Sequence, residues 1–276
     1  MKKYFAMVMA TIALFWLAAC SLESGSGSSN TPASGAGSDA KPAAVSGEKT
    51  IGLSISTLNN PFFVTLNDAA KTKADSLQAK LTVVDAQNDA SKQAADVEDL
   101  IQQGVKLIII NPVDSAAVAS AIESANKAGI PVITVDRSAD GGKVISHIAS
   151  DNKAGGKLAG EYMLQHIAAG SDVAMLEGVA GSSAAIERGE GFTQAVDGKV
   201  KIVASQTADF DRSKGLSVME NILQANPSIK AVFAQNDEMA LGALEAIAAA
   251  KKDIMVIGFD ATTDAVAKVK AGKLAA

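Results

Sequence analysis

The run IGLSISTLNNPFF at residues 51–63 decides the fold. Residues 51–56 alternate Ile51, Leu53 and Ile55 with small residues, which predicts a short strand that can be buried on both faces. Asn60 and Pro61 follow a short polar loop. Asparagine before proline is typical of a helix start, with asparagine as the cap and proline at the first helical position. A buried strand that leads directly into a helix is the repeating unit of α/β proteins.

The same unit repeats along the rest of the chain. Strands are predicted at 51–56, 81–84, 107–110, 131–135, 144–148, 172–176, 200–205, 230–234 and 254–258. Helices are predicted at 61–78, 91–103, 114–128, 153–168, 184–196, 212–225 and 237–250. Apolar strands that alternate with helices indicate an α/β fold with parallel sheets covered on both faces. Nine strands are too many for one small sheet, so we expect two doubly wound lobes, an N-terminal one at 50–150 and a C-terminal one at 151–276.

Capping residues in the sequence also predict where some helices begin and end. Asp114 and Asp237 stand where N-terminal caps are expected. Gly104 and Gly129 follow apolar helical faces, where a glycine at the C-terminal cap belongs.

The N-terminal residues have the pattern of an export signal. Lys2 and Lys3 precede an apolar run from Phe5 to Ala19, which is too short for a comfortable membrane span. The run ends in Leu-Ala-Ala-Cys, which resembles the bacterial lipobox. This predicts a lipoprotein signal peptide at 1–19, cleavage before Cys20 and lipidation of Cys20. The alternative is a plain signal peptide with an incidental cysteine.

Residues 20–49 are rich in serine, glycine, alanine and proline and have no hydrophobic period, which predicts a flexible tether. The expected product is an exported body that is attached to the cell membrane by lipid and faces the periplasm or the cell exterior. Cys20 is the only cysteine, so the mature chain can form no internal disulfide.

Composition and motifs exclude several classes of function. The net charge of −5 argues against a nucleic-acid partner, which would need a basic face. His147 and His166 are not spaced as metal ligands with other donors. The triplet Gly155-Gly156-Lys157 lacks the rest of a phosphate loop, and no nucleophile stands beside a base. We therefore expect no metal, no cofactor and no catalytic residue, which means that the chain is not an enzyme.

Polar side chains concentrate just after the predicted strands. In open α/β sheets, ligands bind beyond the carboxyl ends of the strands. The candidates at these ends, with the adjacent phenylalanines, are Asn60, Phe62, Phe63, Asn111, Asp136, Arg137, Asn236 and Asp260. Carboxylates, amides and guanidinium groups suit sugar hydroxyls, which both donate and accept, and aromatic rings suit the apolar faces of a sugar.

Each candidate also has an ordinary structural explanation. Asparagine and aspartate are common in turns and caps. Phe62 and Phe63 could be core residues, and Asp136 with Arg137 could be a surface ion pair of small energetic value. Arg188 and Phe210 are weak candidates for ligand binding on position alone, because they lie where loops lead into helices.

Eight segments in one order resemble the periplasmic sugar-binding proteins of ABC importers (the type 1 periplasmic binding protein family), above all the ribose-binding members. They are STLNNPFF (56–63), INPVDS (110–115), PVITVDR (131–137), SHIASDN (146–152), ERGEGF (187–192), ADFDR (208–212), FAQNDEMALGAL (233–244) and GFDAT (258–262). The resemblance implies two α/β lobes joined by a hinge, with the sugar in the cleft between them.

Carried over by position, the family's ligand-binding residues would be Asn60, Phe62, Phe63, Asn111, Asp136, Arg137, Arg188, Phe210, Asn236 and Asp260. Phe62 and Phe210 would sandwich the sugar ring, and the four charged residues would clamp its hydroxyls. The implied partners are a monosaccharide, with ribose expected, and ABC permease subunits, with a chemotaxis receptor as a further candidate. The expected state is a monomer.

Three other functions remain as alternatives. A receptor for another small sugar or a sugar-derived signal would share the site. A sugar-responsive transcriptional repressor shares the fold but would need a basic helix-turn-helix before residue 50. A sugar-modifying enzyme would need a base near the cleft.

The resemblance also implies that family chains continue past Gly-Lys-Leu-Ala-Ala with a binding glutamine, a last helix and strand, and a third hinge crossing. This sequence stops at Ala276, so we expect it to lack that segment, to be less stable and to bind ribose weakly or not at all. Equal melting temperature and ribose affinity in this chain and an extended version would contradict that expectation.

Overall fold

The computed structural model describes residues 47–276, and its nine strands form two parallel sheets. The predicted signal peptide 1–19, Cys20 and most of the tether lie outside the described residues. The strands are β1 Thr50–Ile55, β2 Lys80–Asp85, β3 Leu107–Ile110, β4 Val132–Val135, β5 Ser146–Ile148, β6 Asp172–Glu177, β7 Lys201–Thr207, β8 Ala231–Ala234 and β9 Met255–Ile257. One sheet has the order β2-β1-β3-β4-β5 and the other β7-β6-β8-β9, and every pairing is parallel. The predicted α/β fold is confirmed.

The described residues contain eight helices. They are α1 Pro61–Ser76, α2 Ala90–Gln102, α3 Ala119–Lys127, α4 Asn152–His166, α5 Ser183–Val196, α6 Arg212–Ala225, α7 Asp237–Ala249 and α8 Thr263–Lys270. Seven match predicted helices. The prediction missed α8, which is only eight residues long and has one buried residue, Ala265. Eight residues span only about two helical turns, which is shorter than the window from which a hydrophobic period is read.

Two predicted helix starts are wrong in position. Helix α3 begins at Ala119 and not at Asp114, because the Asp114 carboxylate accepts hydrogen bonds from the backbone of Ala116 and Ala117 in a separate turn. The cap of α7 is Asn236 and not Asp237: the Asn236 Oδ1 accepts from the Met239 amide at 3.0 Å.

The other readable ends are confirmed. The Asn60 Oδ1 accepts a hydrogen bond from the Phe62 amide at 2.9 Å, and Pro61 is the first residue of α1. Gly104 and Gly129 have φ values of +70° and +73°, the left-handed conformation that a glycine adopts without steric cost.

The central strands of the second sheet, β6 and β8, are buried on both faces. Alternate residues of β6 point in opposite directions: Val173 and Met175 join a core cluster with residues of α4 and α5, whereas Ala174 and Leu176 join another with residues of α6 and α7. This arrangement explains why the strand is a continuous apolar run. In the first sheet, β3 and β4 pack with α2 and α3 in a third cluster.

Glycines allow the helices beside the second sheet to cross closely. A Cβ on Gly156 of α4 would lie 2.1 Å from the Arg188 carbonyl oxygen of α5, and a Cβ on Gly191 would lie 2.0 Å from the Lys153 carbonyl oxygen. Helices α6 and α7 have the same arrangement at Gly242. The packing of α4 on α5 thus accounts for Gly156 in the triplet that partly matched a phosphate loop.

The chain passes from the first sheet to the second between β5 and α4. The elements before this connection are called the first half here, and those after it the second half. Near the end of the chain, the Ala275 amide donates to the Val256 carbonyl of β9 at 2.9 Å. Within residues 47–276, no helix combines the length and hydropathy of a membrane span.

Candidate functional site

The carboxyl ends of both sheets face one small cavity. Its lining residues are Asn60, Phe62, Phe63, Asp136, Arg137, Ala184, Arg188, Phe210, Asn236 and Asp260. Nine of these are predicted site residues, and they follow β1 and β4 in the first half and β6, β7, β8 and β9 in the second. The tenth predicted residue, Asn111, lies behind the cavity wall.

Asn111 positions a carboxylate of the cavity. It is fully buried at the end of β3. Its Nδ2 donates to the Asp136 Oδ2 at 3.2 Å and to the Val135 carbonyl at 3.1 Å, and its Oδ1 accepts from the Ser56 amide at 3.1 Å. With these bonds Asn111 joins β1, β3 and β4 at the point where Asp136 leaves the sheet.

Arg137 is a buried cation with incomplete hydrogen bonding. Only 1% of the residue is exposed, so the interpretation as a surface ion pair is wrong. Its Nη1 donates to the Pro112 carbonyl at 3.1 Å, whereas its Nε lies 3.6 Å from the Asp136 Oδ2 and has no hydrogen-bond partner among the described residues. Burial lowers the pKa of Arg137 to about 10, although Asp136 opposes this effect.

Two phenylalanine rings from different halves flank Arg137. The guanidinium carbon lies 5.2 Å from the centre of the Phe63 ring and 5.3 Å from the centre of the Phe210 ring, which is within cation–π range. Phe62 meets Phe63 edge to face at 5.3 Å. The proposed sandwich of a sugar between Phe62 and Phe210 stays a prediction.

Arg188 is the second buried cation. It projects from α5, where its Nε donates to the Asn152 Oδ1 at 2.9 Å. Its Nη1 donates to the Gln235 carbonyl at 2.7 Å and to the Asp260 Oδ1 at 3.3 Å. The guanidinium carbon is 3.7 Å from the centre of the Phe259 ring, so Arg188 is held on several sides.

Asp260 is a carboxylate whose ionised form is poorly stabilised. Its side chain is 7% exposed. Burial raises the pKa of Asp260 to about 7, and Arg188 offsets this only partly, because Asp237 and Asp136 add negative charge nearby. The pKa therefore lies close to neutral pH, where a small change in surroundings changes the charge.

Several site residues have an unfavourable backbone conformation. Positive φ values occur at Asp136 (65°), Phe210 (57°) and Asp260 (111°), and these are uncommon for residues other than glycine. The Phe210 carbonyl accepts from the Asn236 Nδ2 at 3.3 Å and from the Asn60 Nδ2 at 3.5 Å. Strain of this kind persists where surrounding contacts fix the backbone, and it is frequent in ligand sites.

The two halves also touch beside the cavity. The Ser115 amide of the first half donates to the Gly181 carbonyl of the second at 3.0 Å, and the Ser138 amide donates to the Ser183 Oγ at 2.8 Å. This cavity has a volume of about 10 Å³, which is at the limit for a single water molecule, and a separate pocket of about 230 Å³ adjoins it between the halves. A larger ligand can be seated only if side chains or the halves themselves move.

The sequence-based site list omitted four residues. Asn152, Gln235 and Phe259 bond to or stack on Arg188, and Ala184 lines the cavity. Position after a strand was a usable signal for Asn152, Gln235 and Phe259, but nothing in the sequence marks Ala184. Residues 47–276 contain no cluster of three or more histidine, cysteine, aspartate or glutamate side chains that could hold a metal ion.

The raised pKa of Asp260 predicts how stability changes with pH. The folded state binds the proton more tightly than the unfolded chain, so the stabilisation is complete below about pH 4 and is lost as the pH rises through about 7. Without sugar, Asp260→Asn should therefore already be more stable than the parent by about 1.6 kcal/mol at pH 5. At pH 8 we expect it to be more stable by up to about 4 kcal/mol.

Thermal unfolding followed by circular dichroism at both pH values measures this effect. Asp75→Asn, an exposed site, is the matched control and should follow the parent throughout. If Asp260→Asn and the parent lose equal stability between pH 5 and pH 8, the carboxyl group does not titrate as described.

Comparison with known proteins assigns the chain to a family. A sequence model described as "Periplasmic binding protein domain" matches residues 51–276. The chain is 53% identical over 278 aligned positions to Ribose import binding protein RbsB of Bacillus subtilis (100% of this chain, 87% of that protein). It is 58% identical over 229 positions to the protein of that name in Salmonella typhimurium (82% of this chain, 77% of that protein).

Solved structures give the same answer. The Caulobacter myo-inositol binding protein, crystallised with myo-inositol, superimposes with a TM-score of 0.80 at 36% identity, covering 83% of this chain and 80% of that one. The sequence match and the structural superposition agree, and the chain belongs to the periplasmic binding protein family.

Proposed function

We propose that the chain is an exported receptor that captures ribose for an ABC importer and releases it unchanged. Relatives named ribose import binding protein are 53% to 58% identical to it, whereas relatives named for D-apiose, for D-allose or for D-ribose and D-allose together are 34% to 37% identical. The higher identity supports ribose over the other sugars. Membership of a family of binding proteins supports capture without catalysis.

The charges around the cavity carry the proposal. Two cations, Arg137 and Arg188, and two carboxylates, Asp136 and Asp260, line it together. Their charges cancel when all four are ionised, so the site offers no net attraction to a charged ligand. It offers strong donors and acceptors to an uncharged ligand that carries several hydroxyl groups. The Arg137 Nε, buried without a partner, is a donor that such a ligand could satisfy.

Binding would proceed by hinge closure between the two lobes, proposed here as residues 50–150 and 151–276. The cavity of about 10 Å³ is too small to admit a sugar while the halves are in contact. A sugar would first meet one lobe, and closure would bring the second over it. The ligand favours the closed form because it touches both lobes only there.

Titration calorimetry tests the ligand and the site together. We expect D-ribose to bind saturably, to this chain or to the extended version, and more tightly than allose, galactose, xylose and myo-inositol. In Asp136→Asn the ribose affinity should fall about 10-fold to 100-fold, because a charge-assisted hydrogen bond to the sugar is worth about 1.5–3 kcal/mol.

Asp75→Asn again serves as the control, because it removes one exposed carboxylate. It should leave the affinity unchanged. Binding of no monosaccharide at all, either by this chain or by the extended version, or conversion of ribose into a product, would sink the proposal. Retention of full affinity in Asp136→Asn would remove that residue from the site.

The remaining partners follow from an importer role. The closed, sugar-bound form would deliver the sugar to the membrane subunits of an ABC permease. A chemotaxis receptor is a second candidate partner that would bind the same form. We propose a monomer, since the cleft takes its lining residues from both halves of one chain.

We further propose that lipid on Cys20 attaches the receptor to the membrane. The support is the sequence Leu17-Ala18-Ala19-Cys20 after a basic start and an apolar run. One chain of lipid binds a membrane only marginally, so stable attachment takes two or more acyl chains.

Cys20→Ser should move the protein from the membrane fraction to the soluble exported fraction, because the sulfur that carries the lipid is lost. Fractionation and mass spectrometry of the N-terminal peptide measure this change. Ser28→Ala in the tether is the control and should stay with the membrane. An unmodified Cys20 in the parent protein would show the cysteine to be incidental.

A further inference from the structure

We infer that Asn152 is a positioning residue for ribose binding: it fixes the orientation of Arg188 and thereby aims the free edge of that guanidinium at the sugar. The inference rests on the proposed function. Asn152 is 2% exposed and does not line the cavity, so any effect on binding would be exerted through Arg188.

The hydrogen bonds of Arg188 define one free edge. A guanidinium group has five N–H donors in a fixed plane. Asn152 takes the Nε donor at 2.9 Å, and the Gln235 carbonyl and Asp260 lie within reach of Nη1 at 2.7 and 3.3 Å. Nη2 has no hydrogen-bond partner among residues 47–276. The two N–H groups of Nη2 are therefore the pair left for a ligand.

The face of the guanidinium is fixed as well. Its carbon lies 3.7 Å from the centre of the Phe259 ring. The ring is held against α4 at Gly155, where a Cβ would come within 2.3 Å of a ring carbon. Phe259 restrains tilting of the Arg188 plane, and Asn152 restrains rotation within that plane. Together, the two contacts allow the N–H groups of Nη2 to point in only one direction.

Asn152 is also placed to connect the site with the chain crossing. It is the first residue of α4, directly after the connection from β5, and the Asp151 side chain caps this helix by accepting from the Ala154 amide at 2.9 Å. Among residues 47–276, no other side chain bonds to the Arg188 Nε. A change in the backbone at the crossing would therefore alter the orientation of Arg188 directly.

The test is a set of ribose titrations. Asn152→Leu keeps the size of the side chain but removes the acceptor, and Asn152→Ala removes it with less risk to folding of α4. Both should weaken ribose binding about 10-fold to 100-fold. Asn152→Asp retains an acceptor oxygen and should restore the affinity to within about fivefold of the parent. Asn221→Leu, on the exposed surface of α6, is the control and should bind like the parent.

A double-mutant cycle separates positioning from a general structural role. In an Arg188→Met background, titrated into the millimolar range, Asn152→Ala should change the affinity by less than threefold, because no guanidinium remains to be positioned. An equal loss in both backgrounds overturns the inference, as does parent-like affinity in Asn152→Ala. If neither the unaltered chain nor the extended version binds a sugar, the proposed function fails first; if ribose binds and Asn152→Ala binds it equally well, only the role of Asn152 is wrong.

Discussion

Two arginines and two carboxylates share a cavity with room for about one water molecule, and the rest of the molecule supports that arrangement. Taking a charged group out of water costs several kcal/mol unless partners replace the lost hydration. Here each ion has an opposite charge beside it: Asp136 lies 3.6 Å from Arg137, and Asp260 lies 3.3 Å from Arg188. The replacement is incomplete, as the lowered pKa of Arg137 and the raised pKa of Asp260 indicate. A ligand rich in hydroxyl groups would supply the missing hydrogen bonds.

The sheets provide the means to hold such costly groups. Parallel strands bring every polar strand end to one edge, and residues behind that edge, such as Asn111 and Asn152, bind the charged side chains without lining the cavity. Backbone strain at Asp136, Phe210 and Asp260 is the accompanying cost. At Asp136 and Asp260 strain and desolvation coincide, although positive φ values also occur outside the cavity, as at Gln78 and Lys251.

The fold could be predicted from sequence because its signals are local. Continuous apolar strands, an asparagine and proline before α1 and glycines after α2 and α3 each depend on neighbouring residues. Helix α8 was missed because it is only eight residues long. The cavity residues lie together as predicted, because the carboxyl ends of parallel strands lie at the same edge of a sheet. The partners of Arg188 could not be predicted, because its bond to Asn152 joins residues 36 positions apart, and the choice of partner depends on the packing of α4 against α5.

The close crossing of α4 and α5 has a mechanical consequence. Where glycine brings two backbones into contact, there are no long side chains to slide or repack, so the two helices should move as one rigid unit. During any opening, the backbone would then change conformation mainly in the short connection before α4, and the helix pair itself would keep its shape. Because the helix pair would not bend, a small rotation at the connection would move the far edge of the second sheet by the same angle.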